Sequence, residues 1–269
     1  MLICQYDYQG RNGTMRLPAL FLAHGSPMLA IEDNAYTAFL GKLGEGIRPQ
    51  AVVIFTAHWM TRQPTVSAVE GTYDMIYDFS GFPRELYEVV YPARGSVEWA
   101  ERVRERLAGV AEVAVDSTRG LDHGSWVLLH RLFPNADIPV VQASVLPWWT
   151  PMQLFQLGEA LCPLRDEGLM VIGSGGTVHN LMALRWEGHA EADAWAMAFD
   201  DWLLSRSAAH SEEVFDYENK APYAKQAVPT PEHLAPYWIA YGAGDHDQAP
   251  RVLFREYQYG SLSLMAVTF

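Results

Sequence analysis

The sequence predicts one α/β domain, with a central mostly parallel or mixed sheet that is flanked by helices. Three apolar runs, Leu17–Ala23, Ala51–Phe55 and Leu169–Ile172, have the pattern of strands that are buried on both faces of a sheet. Strand and helix patterns alternate along the rest of the 269 residues, without a repeat or a linker. We therefore expect residues 1–16 to be an N-terminal extension and residues 17–269 to form a single domain.

Shorter patterns complete the predicted sheet and its helices. Further strands are expected at Thr65–Val69, as an edge strand, and at Val113–Val115, Ile138–Val145 and Leu262–Val267. Helices are expected at Glu32–Lys42, Ser96–Ala108, Met152–Cys162 and Ala192–Ser205. One more helix opens at PTPEHL, where Thr230 is a natural N-cap and Pro231 fits the first helical position.

The longest segment without a regular pattern is Gly71–Gly95, which is rich in tyrosine and phenylalanine. A loop of this length in a compact domain is usually functional or wraps the surface. Two interpretations stay open for its aromatic side chains. They form a cluster that packs on the core, or they line one wall of a substrate site.

The composition limits the classes of partner. With 32 acidic and 19 basic residues, the formal net charge is −13, which argues against nucleic acid and against an anionic membrane surface. No apolar run approaches the roughly 18 residues of a membrane span, and the N-terminus is too polar for a secretory signal. Two distant cysteines predict no disulfide framework, which fits a cytoplasmic location. The sequence does not predict an oligomeric state.

Each of the three apolar runs leads to a histidine. His24 follows the first run, His58 follows the second, and the third passes through GSGG to His179. In open α/β sheets, ligands bind beyond the carboxyl ends of the strands. Repeated histidines at that position indicate one site at one edge of one sheet.

Two other chemistries fit these stretches less well. The string GSGG is neither a dinucleotide-binding fingerprint nor a phosphate loop, because no Lys-Ser or Lys-Thr follows it. Ser26 and Ser125 each lie near a histidine, but the nucleophile-elbow pattern of serine hydrolases is absent from the sequence.

A metal site explains the histidines better. Neutral imidazoles bind zinc or ferrous iron, and ligands from different strand ends can converge on one ion. We predict His24, His58 and His233 as the ligands, with His179 as a fourth ligand or a base.

The remaining histidines divide into one candidate and four ordinary residues. His123 follows Asp122 on a Gly-flanked loop, before a helix that is expected to start near Ser125. It is a candidate for supporting a ligand or for acid–base chemistry. The other four have the settings of surface residues: His130, His189, His210 and His246.

These motifs together resemble a known family. HGSPM, TAHW, IYDFSGFP, YPARG, GLDHGSW, ADIPVVQ, GSGGTVHN and PTPEHL occur in this order from about Leu17 to the C-terminus. They resemble the DOPA 4,5-extradiol dioxygenases, of the class III extradiol superfamily that includes protocatechuate 4,5-dioxygenase. The resemblance implies an α/β catalytic domain with one mononuclear divalent metal ion, ferrous iron for activity, although zinc also suits an all-histidine shell.

The resemblance also implies an activity and roles for the histidines. The substrates would be a DOPA-like catechol and O2, and the ring would open beside its two hydroxyls. His24, His58 and His233 carry over as ligands, His179 as a further ligand or the catalytic base, and His123 as a second catalytic histidine. Glu232 lies beside His233, and we expect it to serve the helix N-terminus instead of the metal.

Two alternatives use the same histidines. A zinc hydrolase would activate a water molecule and cleave amides or esters without consuming O2. A non-enzymatic metal-binding module is the other, since the superfamily resembles the Memo-type signalling proteins. Such a module would not be expected to keep a complete histidine set, and this chain has one.

Overall fold

The computed structural model describes residues 16–186 and 190–269, whose strands form one mixed sheet. The strands are β1 Ala19–Ala23, β2 Ala51–Met60, β3 Thr65–Ser67, β4 Ala114–Asp116, β5 Val140–Val145, β6 Leu169–Gly175, β7 Arg251–Gln258 and β8 Leu262–Thr268. Their order across the sheet is β4-β3-β5-β2-β6-β1-β8-β7. The central strands β5, β2, β6 and β1 run parallel, and β8 and β7 are antiparallel to their neighbours. The predicted α/β class is confirmed.

Helices cover both faces of the sheet. They are α1 Ala35–Glu45, α2 Val97–Leu107, α3 His123–Leu132, α4 Pro151–Glu159, α5 Cys162–Arg165, α6 Ala194–Ala208, α7 Tyr217–Lys220, α8 Ala224–Ala227 and α9 Ala235–Gly242. The predicted helices occur with shifted ends. For example, α1 begins after Asn34, whose side chain accepts from the Thr37 amide and forms a capping box.

Alternating residues of the central strands belong to two hydrophobic cores, one on each face of the sheet. Phe21, Val53 and Val171 pack with α2, α4, α6 and α9, whereas Leu22 and Ile54 pack with α1 and α3 on the opposite face. Successive side chains of a strand point to opposite faces, so a strand covered on both sides must be apolar at every position. This is why the three long apolar runs identified these strands correctly.

Two predictions for the sheet were wrong or incomplete. The strand β3, expected at an edge, is second from it, because β4 pairs parallel to its outer side. The edge strand β7 was not predicted, since it is only partly buried and carries charged residues at Arg251, Arg255 and Glu256. A turn at Tyr259 and Gly260, both with positive φ, joins β7 to β8.

The GSGG stretch has a packing role. A Cβ on Gly173 would collide with the Pro236 carbonyl oxygen, and one on Gly175 would collide with the His233 carbonyl oxygen. The His233 carbonyl also accepts from the Gly176 amide at 2.8 Å. Glycines here let the turn that carries His233 approach the end of β6, which agrees with the argument against a phosphate loop.

Part of the sequence prediction lies outside the described residues. The proposed N-terminal extension falls almost wholly on residues 1–15, and His189 falls in the gap between the two described ranges. Among the described residues, no helix has both the length and the apolar character needed to cross a membrane.

Candidate active site

Five histidines converge at the carboxyl ends of β1, β2 and β6. His24 follows β1, His58 lies near the carboxyl end of β2, and His179 comes four residues after β6. His123 begins α3, and His233 ends a 3-10 helix that precedes α9. The ring centroids of His24, His58 and His233 form a nearly equilateral triangle, with sides of 4.8, 5.2 and 5.2 Å. The structure thus brings together every histidine that the sequence assigned to the site.

A serine fixes the tautomer of His24. The Ser174 hydroxyl donates to the Gly124 carbonyl oxygen, so its oxygen is left to accept from His24 Nδ1 at 3.0 Å. His24 therefore carries its proton on Nδ1 and a lone pair on Nε2.

Asp78 connects His58 and His123. Its Oδ2 lies 3.2 Å from His58 Nδ1, and its Oδ1 accepts from His123 Nδ1 at 2.9 Å and from the His123 amide at 3.0 Å. Partial burial works against ionisation, but the hydrogen bonds from His123 and His58 hold the pKa of Asp78 well below its usual range. The carboxylate leaves Nε2 of both neutral rings as an acceptor. Sequence reasoning assigned no role to Asp78, although it lies within the IYDFSGFP motif.

Glu232 orients His233 in the same way. Its Oε1 accepts from His233 Nδ1 at 2.9 Å and from the Thr230 hydroxyl at 2.8 Å. Thr230 is the N-cap of this 3-10 helix and Pro231 follows it, as predicted, but the Thr230 side chain makes no capping bond and donates to Glu232 instead. Glu232 lies in the first turn and binds the histidine ring. His233 Nε2 is buried and has no hydrogen-bond partner among the described residues.

The arrangement of these ring nitrogens suits a bound cation. His24 Nε2 and His58 Nε2 lie 3.1 Å apart, and both are acceptors when the rings are neutral. Protonation is disfavoured, because burial, reinforced by the neighbouring histidines, lowers the pKa of His24 and of His233 well below the ordinary value. Nitrogens bound tetrahedrally to zinc at about 2.0–2.1 Å lie roughly 3.3 Å from one another. The residues present fit a bound metal ion.

Two separate trios each offer atoms within 4.8 Å of one another: His24, His58 and His123, and His179, Glu232 and His233. The first trio has a less regular arrangement, with ring centroids 3.9 Å apart for His58 and His123 but 5.5 Å apart for His24 and His123. In the second trio, Glu232 already accepts two hydrogen bonds. The triangle of His24, His58 and His233 combines members of both trios, and each of its Nδ1 atoms has an oxygen partner.

His179 stacks on His233. Their ring centroids lie 3.5 Å apart and the planes differ by 6°. A metal ion lies close to the plane of an imidazole that binds it, so two parallel, stacked rings are poorly arranged to share one ion. Burial lowers the pKa of His179 to about 4, although Glu232 opposes this shift. At neutral pH its ring is uncharged and can accept a proton.

The structure corrects the predicted setting of His123. It is the first residue of α3, two positions before the expected start at Ser125, and Asp122 is the N-cap. The fully buried Asp122 carboxylate accepts from Thr56 Oγ1 at 2.8 Å and from Arg119 at 3.0 Å. His123 therefore has rigid support on both sides, from Asp122 along the chain and from Asp78 across the site.

The other described histidines lie outside the site. His210 and His246 are exposed, as expected, and His210 contacts the Tyr241 hydroxyl. His130 is only partly exposed, and it packs edge-on against Tyr91 with ring centroids 6.1 Å apart. The prediction that His130 is a surface residue was therefore only partly correct.

A cavity of about 790 Å³ opens above the histidines. We call its inner end the histidine floor, which consists of His24, His58, His123, His179 and His233. Its outer part, the apolar wall, is formed mainly by Phe79, Phe82, Met182, Leu184, Trp186 and Tyr259. Phe79 packs edge-on against His123 and lies tilted against Trp126. The aromatic loop therefore fulfils both interpretations, since it forms a cluster and lines the cavity.

Comparison with known proteins identifies the family of the chain. The family model of the catalytic LigB subunit of aromatic ring-opening dioxygenase matches residues 18–268. The 4,5-DOPA dioxygenase extradiol of Escherichia coli K12 is 39% identical over 257 residues, 94% of each chain. That of Beta vulgaris is 42% identical over 258 residues, 93% of this chain and 95% of the relative. An uncharacterized Escherichia coli K12 protein of known crystal structure superimposes with a TM-score of 0.81 at 36% identity, over 94% of this chain and 100% of that one.

The chain therefore belongs to the family of catalytic LigB subunits of aromatic ring-opening dioxygenases. Within it, the protein is a metal-dependent class III extradiol dioxygenase, which acts on a small molecule with O2. Enzymes of this family use one mononuclear metal ion, and the histidine cluster of this chain could hold one. Family membership favours this activity over a zinc hydrolase and over a non-enzymatic module.

Proposed function

We propose that the enzyme uses ferrous iron to open a catechol ring beside its two hydroxyls. The observation that carries this proposal lies at the floor of a cavity large enough for an aromatic substrate, where His24 Nε2 and His58 Nε2 are 3.1 Å apart and the buried His233 Nε2 has no hydrogen-bond partner among the described residues. DOPA is the first catechol to test, because relatives over nearly the whole chain are DOPA dioxygenases.

The proposed ligands are His24, His58 and His233. Each ring has its Nδ1 proton directed to an oxygen, of Ser174, Asp78 and Glu232 respectively. Such partners of ligating histidines fix the tautomer and raise the basicity of the ligand. When bound, ferrous iron would hold the catechol oxygens and O2 side by side and lower the pKa of the hydroxyls. Three neutral ligands leave the full charge of the ion available for these anionic oxygens.

His179 is the proposed base. With its pKa lowered to about 4, chiefly by burial, the ring is neutral and accepts a proton from a catechol hydroxyl. Glu232 lies close enough to stabilise the resulting imidazolium, since the carboxylate favours the charged form of His179. The parallel stacking on His233 keeps the base beside the ligands.

His123 is proposed as the second catalytic histidine. Burial lowers its pKa, whereas the hydrogen bond to Asp78 favours the charged ring. As a neutral ring it accepts at Nε2, and once protonated it donates from the same atom while Asp78 holds Nδ1. A residue of this kind can take a proton early in the reaction and return it to an oxygen later.

An oxygen-electrode assay tests the proposed function. The protein is loaded with Fe(II) under anaerobic conditions and mixed with catechol, DOPA and a panel of substituted catechols. We expect one molecule of O2 to be consumed for each ring that is opened. A Zn-loaded sample should consume no O2. Hydrolysis of amides or esters by the Zn-loaded protein, with no O2 uptake by the Fe-loaded protein, would overturn the proposal.

A further inference from the structure

The cavity is much larger than the ring that the proposed reaction opens. Its volume of about 790 Å³ lies within the range of roughly 300–1,000 Å³ that is typical of sites for drug-sized ligands. The reacting ring has to lie against the histidine floor, and it fills only a small part of this space. The remainder, bounded by the apolar wall, is available to whatever substituent the ring carries.

The charges around the cavity do not suit an anionic substituent. Among the described residues that line it there is no lysine or arginine, and Glu232 is the one carboxylate. Arg185 lies nearby, but it does not line the cavity, and its guanidinium binds Asp193 at 2.5 Å and the Glu191 carbonyl at 2.7 Å. A carboxylate buried here would have no lysine or arginine to pair with among the described lining residues, which is costly.

The outer part of the wall exposes large apolar side chains. Met182 is 96% exposed, Trp186 65% and Leu181 55%. Soluble proteins rarely keep adjacent apolar residues exposed without a ligand or partner for them. These three lie within one short segment at the mouth of the same cavity, so a ligand that extends outward from the floor would cover them.

The segment is held in place by its own hydrogen bonds. The Asn180 side chain accepts from the Met182 amide at 3.1 Å and donates to the Gln226 carbonyl at 2.8 Å. The Arg185 amide donates to the Tyr259 carbonyl at 3.0 Å. Trp186 then packs on the Tyr259 ring, with centroids 4.8 Å apart. The apolar side chains are therefore presented by an anchored backbone.

We propose that the apolar wall is a subsite for an extended, uncharged apolar substituent on the catechol ring. This inference rests on the proposed function, because the ring has to be seated on the histidine floor for its substituent to reach Met182 and Trp186. The preferred substrate is then an alkyl- or aryl-substituted catechol, which binds more tightly than a catechol whose side chain ends in a carboxylate.

Binding measured without turnover tests the subsite. Catechols with methyl, propyl and hexyl substituents at the 4-position are titrated calorimetrically into the Fe(II)-loaded protein under anaerobic conditions. We expect roughly fourfold tighter binding for each methylene that becomes buried. The matched probe for charge is the catechol whose propyl chain ends in a carboxylate, and we expect it to bind at least about tenfold more weakly than propylcatechol.

Variants assign the effect to the wall. In Met182→Ser and Trp186→Ala the gain per methylene should fall. In Trp148→Ala it should match the parent, because Trp148 is similarly exposed, at 68%, but lies outside the cavity. The subsite would be overturned if affinity did not rise with each methylene in the parent, or if it rose equally in the parent and all three variants. It would also be overturned if the carboxylate probe bound as tightly as propylcatechol.

Admitting air to the same samples separates this inference from the proposed function. If unsubstituted catechol consumes O2 but affinity does not rise with each methylene, the proposed function is supported and the subsite is contradicted. If affinity rises with each methylene and the two wall variants reduce this rise, but no catechol consumes O2, the subsite is supported and the proposed ring opening is contradicted.

Discussion

The histidine floor and the apolar wall of the cavity are built in opposite ways. At the floor, His24, His58, His123 and His233 each direct Nδ1 to a fixed oxygen, and three of these rings are almost fully buried. At the wall, Met182 and Trp186 are mostly exposed to solvent, and Trp186 packs on the Tyr259 ring at the rim of the cavity. The difference indicates that the reaction depends on positions that tolerate little movement, whereas the choice of substrate depends on a surface that can change without disturbing them.

The largest effect is expected from removing a proposed ligand. His24→Ala, His58→Ala and His233→Ala each delete one Nε2 lone pair from the floor, so we expect each variant to lose its metal and its ring-opening activity. Elemental analysis after loading with Fe(II) measures the occupancy. The control is His246→Ala, which changes a histidine with a 37% exposed side chain outside the cavity. Full occupancy in one of the three variants would remove that residue from the ligand set.

The next effect separates chemistry from metal binding. His123→Ala should keep the metal, since His24, His58 and His233 stay in place, and should still bind catechol. Acid–base help is typically worth about 100- to 10,000-fold in rate, so turnover per bound Fe(II) should fall by that range. If His123 only supports the start of α3, the variant will lose stability and keep near-normal turnover.

Asp78→Asn tests the connection between His58 and His123. The carboxylate receives three N–H groups on two oxygens, whereas an amide offers one accepting oxygen and turns an NH2 toward the other histidine. Losses of such ligand-orienting partners cost about 10- to 100-fold in metal affinity or activity. Fe(II) titration and turnover are compared with Asp33→Asn, whose parent side chain is 97% exposed. Unchanged values for both variants would show that Asp78 is dispensable.

The floor should also make the metal-free protein sensitive to acid. Burial lowers the pKa of His24, His123 and His233, and that of His179 to about 4. Unfolded histidines titrate near about 6.5, so below that pH the unfolded chain binds more protons and the free energy of unfolding falls. The contribution of His179 is complete above about pH 6.5 and is lost by about pH 4. Urea unfolding of the parent and His179→Asn across this range should give a shallower decline for the variant.

The smallest effect is expected at Glu232. Within the described part of the chain, its hydrogen bonds from His233 and Thr230 both go to Oε1, and a glutamine offers the same kind of oxygen. Glu232→Gln should therefore keep its metal with less than about a tenfold change in affinity, whereas His233→Gln should lose it. The reverse outcome in an Fe(II) titration would make the carboxylate the ligand in place of His233.

The sequence by itself determined the fold class and the edge of the sheet that carries the site. The runs that became β1, β2 and β6 are apolar at every position because helices cover both faces of the sheet, and the polar residue that ends each run is therefore conspicuous. His24 and His58 were found in this way. The same reasoning missed β7, whose exposed edge position permits charged residues and leaves no apolar run to detect.

Only the tertiary structure decided how the histidines work together. Asp78 lies in an irregular loop, and no period or spacing indicates that its two oxygens reach His58 and His123, far away in the chain. The stacking of His179 on His233 likewise depends on Gly173 and Gly175 letting two segments meet. Such contacts join residues that are distant in sequence, and they exist only because the packed sheet fixes the directions of the segments that leave it.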